Sequence, residues 1–189
     1  THQPHVTLTP TRDKRSVVNI MINRDQLKEL ISDTLQELDA ELDFNGKYCS
    51  ESAVELLMLT CATESNLGHY LKQLGGGPAR GIFQMEPATE QDIWGNHIKY
   101  DPDLSDFIQD FILPTMIGSL DKKGDEDLVW NLKYAIIMTR LHYYRVPESL
   151  PECDDIIGLA TYWKTYYNTE VGKGTIEGAI QAYNKYCKS

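Results

Sequence analysis

From Asn23 onward, Leu27, Leu30, Ile31, Leu35, Leu38 and Leu42 recur at helical spacing with charged residues between them. This predicts an amphipathic surface helix that stops before Asn45-Gly46. Ser50 is placed to cap a second helix, with Glu51 favourable in its first turn. Val54-Glu55-Leu56-Leu57-Met58-Leu59-Thr60-Cys61-Ala62 is apolar on most faces, so this second helix should be buried and central. Leu74-Gly75-Gly76-Gly77-Pro78-Ala79 has no helical option and predicts a turn.

Pro87 suits the first turn of a helix running to about Tyr100, and Asp101-Pro102 ends it. Short helices are expected over 103–121, then an acidic loop from Asp121 to Asp127. A long apolar helix follows over about 126–145, with Tyr134 to Met138 in the core. Pro147 to Pro151 reads as a loop. Two last helices, about 154–167 and 175–187, flank Asn168 to Gly174. Residues 1–22 differ from the rest. They are polar up to Ser16, contain Pro4, Pro10, Arg12, Lys14 and Arg15, and then show β-prone Val17, Val18, Ile20 and Ile22. This predicts a short extended N-terminal arm, disordered or laid on a neighbouring subunit, ahead of one all-α domain over 23–189.

Length and composition agree with one domain, since 189 residues with 41% apolar and 24% charged positions are enough for a real core. The net charge of −10 argues against a nucleic-acid partner. No apolar run is long enough for a membrane span, and no secretory signal is visible. Cys49, Cys61, Cys153 and Cys187 are widely spaced and read as free thiols. The five histidines show no metal-ligand spacing, so neither a metal nor another cofactor is expected.

Candidate chemistry concentrates in 62–89. Glu64 ends the long apolar run, at or just past the C-terminal end of the buried helix. Apolar surroundings and the negative helix end both raise a carboxyl pKa. An acid still protonated near neutral pH can donate a proton to a leaving oxygen. The plainer alternative is a Glu that turns outward at a helix end. Cys61 with His69 suggests a thiol protease only weakly, because a Cys deep in an apolar helix is inert. Gly75-Gly76-Gly77-Pro78 lacks the Lys-Ser/Thr of a phosphate loop.

Glu64-Ser65, followed by Gly81-Ile82-Phe83-Gln84-Met85-Glu86-Pro87-Ala88-Thr89, closely resembles the soluble lytic transglycosylase and goose-type lysozyme group. Those families carry a Glu-Ser pair at the end of a core helix and then a Gly-Leu-Met-Gln-x-x-Pro-x-Thr segment. The Gly-Gly-Gly-Pro-Ala-Arg-Gly-Ile-Phe-Gln form, Tyr144-Arg145-Val146-Pro147 and Tyr162-Trp163-Lys164-x-Tyr166-Tyr167-Asn168-Thr169 resemble the variant found in bacteriophage particles. The resemblance is closest over 55–90, looser over 140–185, and does not reach the first 22 residues.

The resemblance implies a lysozyme-like transglycosylase fold that cleaves the β-1,4 bond between N-acetylmuramic acid and N-acetylglucosamine in peptidoglycan strands. Glu64 would protonate the glycosidic oxygen, then act as base on the muramoyl 6-hydroxyl to give a 1,6-anhydro product. Ser65, Gly81, Gln84, Glu86, Tyr167 and Asn168 are the implied substrate-binding set. Gly81 would let the backbone approach the sugar, and Gln84 would hydrogen-bond it. Glu86 stands where the bacterial enzymes usually have an apolar residue. Either it is a second carboxylate that permits water activation or direct attack, or it is an acid favoured near a helix N-terminus.

For the family's late Tyr-Asn motif, Tyr167-Asn168 is favoured over Tyr183-Asn184, because a turn there can face the cleft and Glu64 can satisfy a buried Tyr hydroxyl. Particle proteins that dock the N-terminal arm are the other expected partners. The expected locations are the virion, or the host cytoplasm before release, with action at the cell wall. The rival expectation is a structural protein of the particle on the same scaffold.

Overall fold

The computed structural model describes residues 22–42, 46–113 and 126–188. The arm expected over 1–22, apart from Ile22, lies outside these residues, as do most of the acidic loop and the end of the 103–121 segment. The described chain is mainly helical, and no strand forms within it. Its eight α-helices are α1 (Arg24–Leu42), α2 (Glu51–Ser65), α3 (Pro87–Asn96), α4 (Pro102–Phe107), α5 (Asp127–Trp130), α6 (Leu132–Tyr144), α7 (Ile156–Trp163) and α8 (Ile176–Cys187). Two π-helical segments, Ile108–Ile112 and Lys164–Asn168, extend α4 and α7.

The starts of the helices follow from local chemistry. Asn23 Oδ1 accepts the Asp25 and Gln26 amides, both at 3.0 Å, to open α1. Ser50 Oγ accepts the Ala53 amide at 3.1 Å to open α2. Pro87 and Pro102 stand in the first turns of α3 and α4, where a missing N–H costs nothing. The long helix expected over 126–145 is in fact two. Asn131 is extended (φ −101, ψ 95) and caps α6 through the Tyr134 amide. Its Nδ2 also donates to Ile112 O at 2.7 Å.

α2 is the central element. Leu56, Leu57, Leu59, Cys61 and Ala62 are fully buried, and it packs against α1, α6, α7 and α8. Each buried Leu contributes about 1.5–3 kcal/mol relative to exposure, so this segment anchors the first core. A second core joins α3, α4, 108–112 and α6 through Ile93, Leu104, Ile108, Tyr134, Ile137 and Met138. Asp39 ties α1 to the α2 approach by accepting the Tyr48 and Cys49 amides, at 2.6 and 2.8 Å.

Candidate functional site

Glu64 occupies the last turn of α2. Beyond it the chain reverses through three consecutive left-handed residues, Asn66 (φ 53), Leu67 (φ 60) and Gly68 (φ 77). The Asn66 amide bonds Cys61 O and so closes the helix. The side chain of Glu64 is half-buried, and its Oε1 accepts the indole N–H of Trp163 at 2.9 Å. Burial pushes the carboxyl up to about 7, and the Trp163 hydrogen bond pulls the other way. Tyr70 Oη donates to the Glu64 main-chain carbonyl at 2.8 Å.

Ser65 is fully buried. Its hydroxyl donates to Ile82 O at 2.5 Å and accepts the Gly68 amide at 2.8 Å. It thus pins the 81–86 turn to the end of α2. Gly81 has φ +75, and a Cβ there would fall 1.9 Å from Leu128 O. The close approach that demands glycine in the structure is to the backbone of α5. Gln84, buried and at φ +50, turns its Nε2 back onto Gly81 O at 2.9 Å.

Glu86 is exposed and precedes α3 without a side-chain bond to that helix. The buried acid of α3 is Glu90, which accepts the Tyr134 hydroxyl. Trp94 Nε1 in turn donates to Tyr134 Oη at 2.9 Å.

Tyr167 lies in the π-helical segment after α7. Its hydroxyl donates to Phe83 O at 2.7 Å, not to Glu64 as the sequence suggested. The two are still neighbours, since burial first, and then the Glu64 charge, hold the Tyr167 hydroxyl well above its usual range. Asn168 Oδ1 accepts Lys164 Nζ at 2.8 Å, and the same ammonium binds Thr169 O and Gly172 O at 2.7 and 2.9 Å. Asn168 therefore shapes the 168–174 turn. Tyr183, of the alternative Tyr-Asn pair, bonds Glu55 Oε2 at 2.6 Å on another part of α2.

Glu64, Ser65, Gly81, Gln84 and Tyr167 thus form one connected neighbourhood. Ser65, Gln84 and Tyr167 all reach the 81–84 backbone. Among the described residues, four non-glycine positions have left-handed φ: Asn66, Leu67, Gln84 and Thr169. All four belong to the segments carrying this neighbourhood. Such backbone costs about 1–3 kcal/mol per residue and gathers at functional sites.

Trp163 is the member that the sequence reading did not single out as a site residue. The available signal was general: a buried indole N–H requires a partner. The thiol alternative has no support in the geometry. Cys61 is fully buried and pushed up to about 12 by burial, and His69 is exposed. All four cysteines are free. Among the described residues, no group of three or more His, Cys, Asp or Glu could hold a metal ion, and no helix is long and apolar enough to cross a membrane. Compared with protein-family models, curated proteins and solved structures, the chain matches none of them.

Proposed function

We propose that this chain is a peptidoglycan glycosidase on a lysozyme-like helical scaffold, with Glu64 as its general acid and base. The observation that carries the reading is the state of Glu64. It is half-buried at the end of the central helix, with its carboxyl raised to about 7 by burial. A carboxyl poised there can protonate a glycosidic oxygen near neutral pH and, once ionised, accept a proton from the attacking hydroxyl. The left-handed residues around it and the resemblance of 62–89 to lytic transglycosylases and goose-type lysozymes support the same reading.

The reaction runs in two proton transfers. Protonated Glu64 gives its proton to the oxygen of the β-1,4 bond as that bond breaks, leaving positive charge on the muramoyl ring. The carboxylate then takes a proton from the nucleophile that closes on C1. With the muramoyl 6-hydroxyl as nucleophile the product is a 1,6-anhydro sugar, and with water it is a reducing end. We favour the anhydro route, because Glu86, the candidate second carboxylate, stands exposed ahead of α3. The phage-like form of the 75–84 stretch favours a particle-borne enzyme acting at genome entry, with the arm over 1–22 docking it to other particle proteins.

Zymography and product analysis on purified peptidoglycan, wild type beside Glu64→Gln, test this. Clearing by wild type alone, with anhydro ends, is the expected result. Clearing with reducing ends would turn the reading to a hydrolase. No clearing by folded wild type on walls from several hosts would replace it with the structural particle protein.

A further inference from the structure

The indole N–H of Trp163 is the side-chain donor that the structure gives the Glu64 carboxyl. Three tyrosine hydroxyls near it are turned elsewhere. Tyr70 donates to the Glu64 main-chain oxygen at 2.8 Å, Tyr167 to Phe83 O at 2.7 Å, and Tyr143 shares its hydroxyl with Thr60 Oγ1 at 2.8 Å. Among the described residues, the hydroxyls of these three tyrosines, from the 66–70 turn, the 164–168 segment and α6, are shifted in part by the Glu64 charge. All three are pushed above their ordinary range by burial first, so each stays neutral where Glu64 titrates.

We propose that Trp163 is the positioning residue of Glu64, its N–H fixing Oε1 as the unprotonated, carbonyl-like oxygen and leaving Oε2 to carry the proton that the reaction uses. A protonated Oε1 is a weaker acceptor than a carbonyl-like one, so the indole N–H biases the neutral acid towards the form with its proton on Oε2. After proton release the same N–H becomes a charge-assisted bond to the carboxylate. It therefore serves both halves of an acid-then-base cycle without any movement of the protein. The reaction half of this inference rests on the glycosidase reading. The positioning half does not.

The ring is held from outside as well. Trp163 is buried to 1% exposure. A Cβ on Gly174 would stand 2.5 Å from its Cη2 atom, so the 168–174 turn lies directly against the indole. Lys164 clamps that turn through three acceptors, and Thr169 holds φ +60 within it. The helix also changes to π geometry immediately after Trp163, a departure often found at functional sites.

The first test uses the wild-type chain, with NMR of the Trp163 indole 15N–1H pair and of 13C-labelled Glu carboxyls. The indole resonance should move with the Glu64 carboxyl at a common midpoint near the raised value, about 7. That step should vanish in Glu64→Gln. The second test is Trp163→Phe, which keeps a ring but removes the N–H. The Glu64 midpoint should rise by about one pH unit, and the alkaline limb of the cleavage profile by the same amount. kcat should fall about tenfold with KM nearly unchanged. An indole resonance that ignores Glu64, or a Glu64 midpoint unchanged in Trp163→Phe, overturns the proposal. If that variant fails to fold, the wild-type titration and its Glu64→Gln control still decide. Coupled titration without glycan cleavage at any pH would overturn the reaction half and the glycosidase reading together.

Discussion

Glu55 and Glu64 are the same residue type on the same buried helix, about two and a half turns apart and so on opposite faces. Glu55 is held by the Lys28 ammonium and by the Tyr183 hydroxyl. Among the described residues, Glu64 receives a neutral indole N–H and no cation. The difference shows what a carboxylate needs inside a helical core. Where a cation is supplied, the acid braces α1, α2 and α8 together. Where only a dipolar donor is supplied, burial prevails, and the acid is left poised near neutrality. One face of α2 therefore carries structure, and the other carries the candidate chemistry.

The comparison is broken most sharply by exchanging each acid for its amide. Glu64→Gln should lower glycan cleavage about 10²–10⁴-fold, the range expected for loss of a general acid. Glu55→Gln should stay within a few-fold of wild type in activity assays and show its effect in thermal unfolding instead. Equal losses of activity would mean that the two faces are not separate.

The next effect concerns the backbone that brings the 81–86 turn to Glu64. Gly81→Ala places a methyl group against Leu128 O at a left-handed φ. It should destabilise the chain by about 3 kcal/mol or more, read from denaturant midpoints. A mild effect would mean that the α5 approach yields readily.

The pH dependence of stability gives the third expectation. The folded-state pKa of Glu64 is raised from 4.5 to about 7. Between those values the native chain holds a proton that the unfolded chain has released. Its contribution to stability is therefore full below about pH 4.5 and lost as pH rises through about 7. Glu64→Gln lacks this dependence, so it should exceed wild type by about 2 kcal/mol at pH 8, after a discount for the solvent that reaches the carboxyl. The gap should close towards pH 5. Unfolding curves at several pH values measure it, and a constant gap would place the titration on another group.

The smallest expected effect is on the Glu55 face. Tyr183→Phe removes one hydroxyl bond from an acid that still keeps Lys28, and should cost about 1 kcal/mol. A much larger loss would mean that Lys28 alone cannot hold Glu55.

Helix periodicity, the Ser50 cap, the turn at 74–79 and the position of Glu64 at the end of a buried helix were legible in the chain, because each depends on neighbours within a few residues. Those local rules determined a mainly helical protein with its candidate acid in the right place. They did not reveal the break at Asn131, whose side chain caps α6 and also donates to Ile112 O, nineteen residues away. Nor could they separate Tyr167 from Trp163 as the partner of Glu64, since both are aromatic donors in one short stretch. Only tertiary packing chose between them, by bringing the Phe83 carbonyl to the Tyr167 hydroxyl and the indole N–H to the carboxyl. The physical reason is that a buried donor takes the acceptor that the whole fold delivers, and sequence spacing records the donor but not the acceptor.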